Sequence, residues 1–279
     1  MPELPEVETI RRDLVTLLVG KKISAVRIGD RRVLEGFRPG GGVRRRVKVD
    51  HFVRALAGRT VADLFRRGKY LVFDLGPGPA LLAHLRMTGR LVFGPPDPAA
   101  RARIEFEGTA ESLNFSDTRR FGEWWLAEDW RADPAVAALG PEPLEGGIDP
   151  SPWGRDLRRS SAKMQSALLD QKRIAGLGNI YVTEALFRSG IRPTRRARAV
   201  RTAEIPALLE NIRRVLEEGL AHRGVSFRDY RDARGERGQA RDRLLVYGKD
   251  GLPCPTCRTV LRGVKVGGRG AVFCPRCQT

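Results

Sequence analysis

All four cysteines of this 279-residue chain fall between residues 254 and 277, as two Cys-x-x-Cys pairs, Cys254-Pro-Thr-Cys257 and Cys274-Pro-Arg-Cys277. Residues 258–273 separate the pairs, a spacing suited to one tetrahedral Zn2+ held by four thiolates on the turns of a β-hairpin. Four thiolates leave no open coordination position, so such a zinc is structural. Two disulfides or a redox dithiol are the alternatives. A secreted disulfide framework would scatter its cysteines to staple distant segments, and an intracellular setting disfavours both. The hairpin carries Arg262, Lys265 and Arg269 with several glycines and no acidic residue. A rigid basic hairpin of this kind suits a grip on a phosphate backbone, although a solvated surface has the same composition.

The charge of the whole chain points the same way. Lys and Arg total 51 against 33 Asp and Glu, a formal charge of +18. An excess of this size attracts a polyanion, nucleic acid or an anionic membrane surface, unless it is only a solvated basic exterior. The sequence holds no basic amphipathic helix with a bulky aromatic face and no apolar run long enough to span a bilayer. The N-terminus has none of the features of a signal peptide. The expectation is a soluble intracellular protein, globular given 41% hydrophobic residues.

The pattern along the chain predicts an α+β protein of two domains and a zinc finger. Val7, Ile10, Leu14, Leu17 and Leu18 recur at helical spacing over 4–20, with Pro5 in the first turn and Gly20 at the end. From about 22 to 126 short strands follow, the clearest at 70–75, 80–85, 90–93 and 104–106, broken by Gly-Pro turns. The reading is an N-terminal β-sandwich domain with its flanking helix over 1–130 and a Pro/Gly-rich linker over 131–158. A helical domain spans 159–248, and the four-cysteine zinc finger spans 249–279. The helical domain includes a helix over 203–221 with Thr202 as N-cap. Residues 228–243, almost wholly polar, read as a flexible loop, and 38–50 as a mobile basic one.

Chemistry is suggested at the N-terminus, Met1-Pro2-Glu3-Leu4-Pro5-Glu6. Removal of Met1 before a small residue leaves Pro2 with a free secondary amine. A reference pKa of about 8 for an α-amine, and the helix that follows, favour the neutral nucleophile. It can attack an electrophilic carbon and form an iminium, with Glu3 and Glu6 beside it as acid and base. Acidic residues are equally at home in a first helical turn for the dipole alone. Gly176-Leu177-Gly178-Asn179 runs a tight turn into a helix, either a phosphate-binding end or a plain helix–helix turn.

Together these residues resemble one family, the bacterial formamidopyrimidine-DNA glycosylases, of the same superfamily as endonuclease VIII. The resemblance runs from Met1 to Gln278: MPELPEVET at 1–9, RRGKYL at 66–71, HLRMTG at 84–89, DTRRFG at 117–122, LGPEPL at 139–144, GLGNIY at 176–181, VYG at 246–248 and the cysteine module. PELPEV favours the formamidopyrimidine branch over the PEGPE opening usual in endonuclease VIII. The resemblance implies a bifunctional DNA glycosylase and apurinic/apyrimidinic-site lyase of base excision repair. It would excise 8-oxoguanine and formamidopyrimidines from duplex DNA through a Pro2 Schiff base and β,δ-elimination. Pro2 would be the nucleophile, Glu3 the main acid/base, and Glu6 and Lys69 further members of the catalytic set. Asn179, from a helix–two-turn–helix element of the helical domain, and Arg269, from the zinc finger and counted with the catalytic set as well, would grip the phosphates around the lesion. Met87, Arg119 and Phe121 would fill the stack vacated by the extruded base, with His84 beside them at the DNA. The zinc of the cysteine module would be the one bound ion, and a monomer would suffice for one lesion. The resemblance weakens at 234–243, RGERGQARDR, where the family carries a Gly/aromatic segment over the extruded base. The alternatives are an endonuclease VIII-like enzyme for oxidised pyrimidines and a non-catalytic binder of damaged DNA.

Overall fold

The computed structural model describes residues 1–34 and 48–279, so most of the basic 38–50 stretch lies outside the described residues. The chain divides into two compact units. One comprises Met1–Ala137 with His222–Arg241, the other Ala138–Ala221 with Asp242–Thr279.

The N-terminal unit is a β-sandwich with a helix buried against it. Helix α1 (Leu4–Leu18) places Val7, Ile10, Leu14 and Leu18 in the core, each at most 1% exposed, which is the stripe expected from the sequence. Strands β1 (Ile23–Ile28), β5 (Gly89–Gly94), β6 (Ala102–Phe106) and β7 (Ser112–Asp117) form one antiparallel sheet in the order β1-β6-β7-β5. Strands β2 (Asp63–Arg67), β3 (Tyr70–Asp74), β4 (Ala80–His84) and β8 (Glu123–Ala127) form the other, in chain order. Between β1 and β2 lies the short helix α2 (Val49–Leu56), which buries Phe52 and Leu56. One face of the second sheet joins the main core through Leu71, Phe73, Leu81 and Ala83. The other face buries Val72, Leu82 and Trp125 with Val136 of helix α3 (Pro134–Ala137). Apolar cover on both faces explains why β4 reads as a continuous apolar run rather than an alternation.

The second unit is helical, with a two-stranded sheet at its C-terminal end. It contains α4 (Pro150–Arg158), α5 (Met164–Leu169), α6 (Asn179–Arg188) and α7 (Ile205–Ala221), then β9 (Arg262–Val266) paired with β10 (Arg269–Phe273). Helix α7 packs on α6 and α4. No helix among the described residues is long and apolar enough to cross a membrane.

The structure departs from the sequence reading in three places. Residues 131–158 are not a plain linker. They hold α3, where Asp133 accepts from Trp125 Nε1 at 3.0 Å within the first unit, and α4, where Trp153 Nε1 donates to the Arg173 carbonyl at 2.9 Å within the second. Thr202 is not the N-cap of α7 but lies inside a 3-10 turn; its hydroxyl accepts from Arg158, and Glu204 accepts the Arg201 amide at 2.7 Å. Residues 228–241 are an ordered part of the N-terminal unit. Many of their charged side chains are exposed, but Tyr230, Asp232, Ala233 and Ala240 are buried and anchor the segment. Asp232 is fully buried and accepts from Arg223 Nε and from the amides of Arg234 and Glu236, each at 2.9 Å.

Candidate functional site

In the N-terminal unit, Pro2, Glu3 and Glu6 lie together at the start of α1, all buried, with Glu3 and Glu6 at 2% and 1% exposure. Glu6 is held from two sides. Its Oε2 accepts the Glu3 amide at 2.8 Å and its Oε1 accepts the Val225 amide at 2.7 Å. Gly224 approaches so closely that a Cβ there would sit 2.8 Å from Glu6 Cγ, and its φ of +82° favours glycine as well. The returning segment His222–Arg241 is thereby clipped onto the N-terminus of α1. Tyr230, whose hydroxyl faces the Glu6 carbonyl at 3.4 Å, is held well above the ordinary phenol range by burial and by the charges of Glu6 and Asp232, so it stays protonated. Arg223 joins Asp13 of α1 to Asp232 of the segment, with 2.6 Å contacts to both.

Lys69, 8% exposed, lies in the two-residue turn between β2 and β3, where Gly68 takes φ +56°. That turn is tied to α1. Arg66 Nε donates to Glu8 Oε2 at 3.1 Å and Arg66 Nη1 to the Gly68 carbonyl at 3.2 Å. Burial alone would raise the Glu8 carboxyl. The hydrogen bonds from Arg11 and Arg12 and the charges of Arg11 and Arg66 outweigh it and bring the group to about 2.

The three expected wedge residues also come together within this unit. Met87, 42% exposed, tops the turn between β4 and β5, and Arg119 and Phe121 lie in the loop between β7 and β8. Arg119 Nη1 donates to the Met87 sulfur at 3.1 Å, and its guanidinium lies 5.0 Å from the Phe121 ring centre. His84 is not at the surface. It is 7% exposed, and its Nδ1 accepts the Arg86 amide at 2.9 Å, supporting the Met87 turn from below.

In the second unit, Asn179 is the first residue of α6, after Gly178 as N-cap. Its Nδ2 donates to the Gly270 carbonyl of β10 at 2.7 Å and its Oδ1 accepts from Gln165 at 2.7 Å. Asn179 and the neighbouring Arg269 of the hairpin are thus joined in one arrangement around a helix N-terminus. Arg269 is exposed and opens β10 after Gly267 and Gly268, both at positive φ. The four Cys Sγ atoms lie within 4.8 Å of one another, with Cys257–Cys274 at 3.4 Å and Cys254–Cys277 at 3.9 Å. Zn–S bonds of about 2.3 Å in a tetrahedron require S···S separations of about 3.8 Å, so the cluster fits one zinc ion. The knuckles pack with Phe187, Val246, Leu261 and Val272 in a small core.

Sequence reasoning did not find Glu184, 2% exposed in α6, which accepts the amides of Leu245, Val246 and Tyr247 at 2.8–2.9 Å. The VYG motif marks that turn but not its buried partner. Glu8, Arg66 and Asp117 were likewise missed, though each stands inside a motif.

The family model described as the formamidopyrimidine-DNA glycosylase N-terminal domain matches residues 1–124, that of the formamidopyrimidine-DNA glycosylase H2TH domain residues 139–230, and that of a zinc finger found in FPG and IleRS residues 251–279. The formamidopyrimidine-DNA glycosylase of Desulfitobacterium hafniense is 42% identical, with all of both chains covered; that of Pelotomaculum thermopropionicum is 40% identical over 100% of this chain and 99% of its own. A Lactococcus lactis FPG mutant solved with Fapy-dG-containing DNA superposes with a TM-score of 0.89 at 33% identity, covering both chains fully. The Lactococcus lactis Fpg solved with abasic-site DNA gives 0.88 at 34% over 99% of each. Sequence and structure agree over the whole length, and this chain belongs to the formamidopyrimidine-DNA glycosylase family.

Proposed function

We propose that this base-excision-repair glycosylase removes 8-oxoguanine and formamidopyrimidines from duplex DNA and then cuts the strand, with Pro2 as nucleophile. The carrying observation is the buried N-terminal cluster, in which Glu3 and Glu6 flank Pro2 and Glu6 is fixed by two amides. After removal of Met1, the Pro2 nitrogen attacks C1′ of the damaged nucleotide and the C1′–base bond breaks, the base leaving with a proton. Glu3 protonates the ring oxygen as the sugar opens, and the nitrogen lone pair forms the iminium. Loss of a C2′ proton expels the 3′ phosphate, and a second elimination releases the 5′ phosphate. Lys69 supplies positive charge beside the sugar and its phosphate. Asn179 and Arg269 hold flanking phosphates, aided by the positive end of α6. Met87, Arg119 and Phe121 occupy the vacated stack, Arg119 facing the orphaned cytosine. Zinc, held by Cys254, Cys257, Cys274 and Cys277, fixes the hairpin that carries Arg269 and takes no part in the bond changes. The enzyme acts as a monomer in the cytoplasm, beside the nucleoid.

Borohydride trapping on a duplex with one 8-oxoguanine opposite cytosine tests this reading. The expected result is a covalent adduct mapping to Pro2, absent in Pro2→Gly. An adduct formed only with an oxidised pyrimidine would move the substrate to that of an endonuclease VIII-like enzyme. Binding without an adduct on any lesion or abasic site would leave a non-catalytic damage binder.

A further inference from the structure

We propose that Asp117 is the positioning residue that assembles the wedge, setting Met87, Arg119 and Phe121 in register from two separate loops. The proposal rests on the glycosylase reading above and adds a residue to it. Asp117 ends β7, and its side chain is fully buried. Oδ1 accepts from the Thr88 hydroxyl and, at 3.2 Å, from the Arg119 amide. Oδ2 accepts the Gly122 amide at 2.7 Å and faces Arg101 Nη1 at 3.4 Å, which balances the buried charge. The backbone carbonyl of Asp117 accepts the Arg120 amide at 3.3 Å. The 118–122 loop therefore wraps around one side chain.

Two features show that this wrapping is demanding. Arg120 sits at φ +59°, a left-handed conformation that a non-glycine residue holds only when its surroundings enforce it. Gly122 has no room for a side chain, since a Cβ would lie 2.5 Å from Phe115 Cζ and 3.2 Å from Asp117 Oδ2.

The second loop is joined through Thr88, the residue after Met87. Its hydroxyl donates to Asp117 and accepts the Arg119 amide at 3.1 Å. One carboxylate and one hydroxyl thus fix both loop stems, above which Arg119 bridges the Met87 sulfur and the Phe121 ring. A wedge works only if its side chains enter the helix as one unit, because extruding a base leaves a gap that must be filled at once. Exposed Met and Arg side chains have too many rotamers to do this unaided. Asp117 and Thr88 limit that freedom at the backbone without reaching the DNA themselves.

The test compares wild type, Asp117→Asn, Thr88→Val and Thr88→Ser on three readouts. These are excision of 8-oxoguanine opposite cytosine, the same lesion opposite adenine, and borohydride trapping on a single strand with a preformed abasic site, where no stack has to be opened. Loss of a buried hydrogen bond to a charged group predicts excision from the cytosine duplex slowed about 10- to 100-fold in Asp117→Asn and Thr88→Val. The preference between opposite bases should fall towards one, single-strand trapping should be unchanged, and Thr88→Ser should match wild type. Equal losses on duplex and single strand would make Asp117 merely structural and overturn the proposal, as would full opposite-base preference in both variants. Should Asp117→Asn fail to fold, Thr88→Val, which keeps the carboxylate, decides. Failure of the parent reading is separate, since wild type itself would then give no adduct.

Discussion

Glu8 is the residue whose replacement tests most directly how the Lys69 turn is held. Its side chain is 10% exposed and accepts from Arg11, Arg12 and Arg66, the last 2% exposed. The carboxyl titrates at about 2 in the folded chain against an ordinary 4.5. At about 1.4 kcal/mol per tenfold change in proton affinity, the ionised group contributes about 3 kcal/mol at neutral pH. Glu8→Gln removes this and takes the carboxylate away from Arg66 Nε, so a loss of about 3 kcal/mol is expected. Denaturant unfolding of the zinc-loaded protein at pH 7 should show a loss in that range. The sign of the pH effect is fixed by a depressed carboxyl. The contribution is present above pH 4.5 and disappears as the pH falls towards 2, so the gap between wild type and Glu8→Gln should close over that window. A gap below about 0.5 kcal/mol, the scale of an ordinary surface substitution, would refute the reasoning. So would a gap that does not vary between pH 5 and pH 3.

Two further outcomes are expected. Cys274→Ser should lose zinc, measured by metal analysis, and DNA affinity together, because the hairpin bearing Arg269 packs on the knuckles; tight binding without zinc would make the finger dispensable. Affinity for lesion duplex should fall steeply with salt, and Arg269→Ala should lower the slope of log affinity against log salt by about one, the value for a single lost phosphate contact; an unchanged slope would remove Arg269 from the backbone contacts.

The parts legible in the sequence are those where one local rule suffices. The α1 stripe gave the helix, the Gly-Pro turns delimited the strands, and the cysteine spacing specified a cluster whose sulfurs lie within 4.8 Å. The set of Pro2, Glu3 and Glu6 was visible as candidate chemistry, but not the means of holding it. Glu6 is fixed by Val225, which lies far along the chain, just before the stretch that composition reads as a flexible loop. The same holds for Asp232 and Arg223, whose charges neutralise each other over a fold that no local window displays. His84, expected at the DNA, also accepts the Arg86 amide beneath the Met87 turn, a contact that the motif alone does not display. Thr202 precedes a good helical stripe, but a 3-10 turn displaced the cap. In each case a polar pairing, buried at Glu6 and Asp232 and exposed at Thr202, bears on the outcome, and such pairings leave no periodic trace.

The return of His222–Arg241 to the first unit also sets a timetable for synthesis. Residues 1–137 emerge first from the ribosome, yet Glu6 and Asp13 find Val225 and Arg223 only some 219 and 210 residues later. Until then the sandwich lacks Tyr230 and Ala233 from its core and has no fastening over the start of α1. Non-local closures of this kind come late in folding. A nascent or truncated chain ending before about residue 241 is therefore expected to carry Pro2 in an unfinished setting, so that activity matures only once the His222–Arg241 segment has been made.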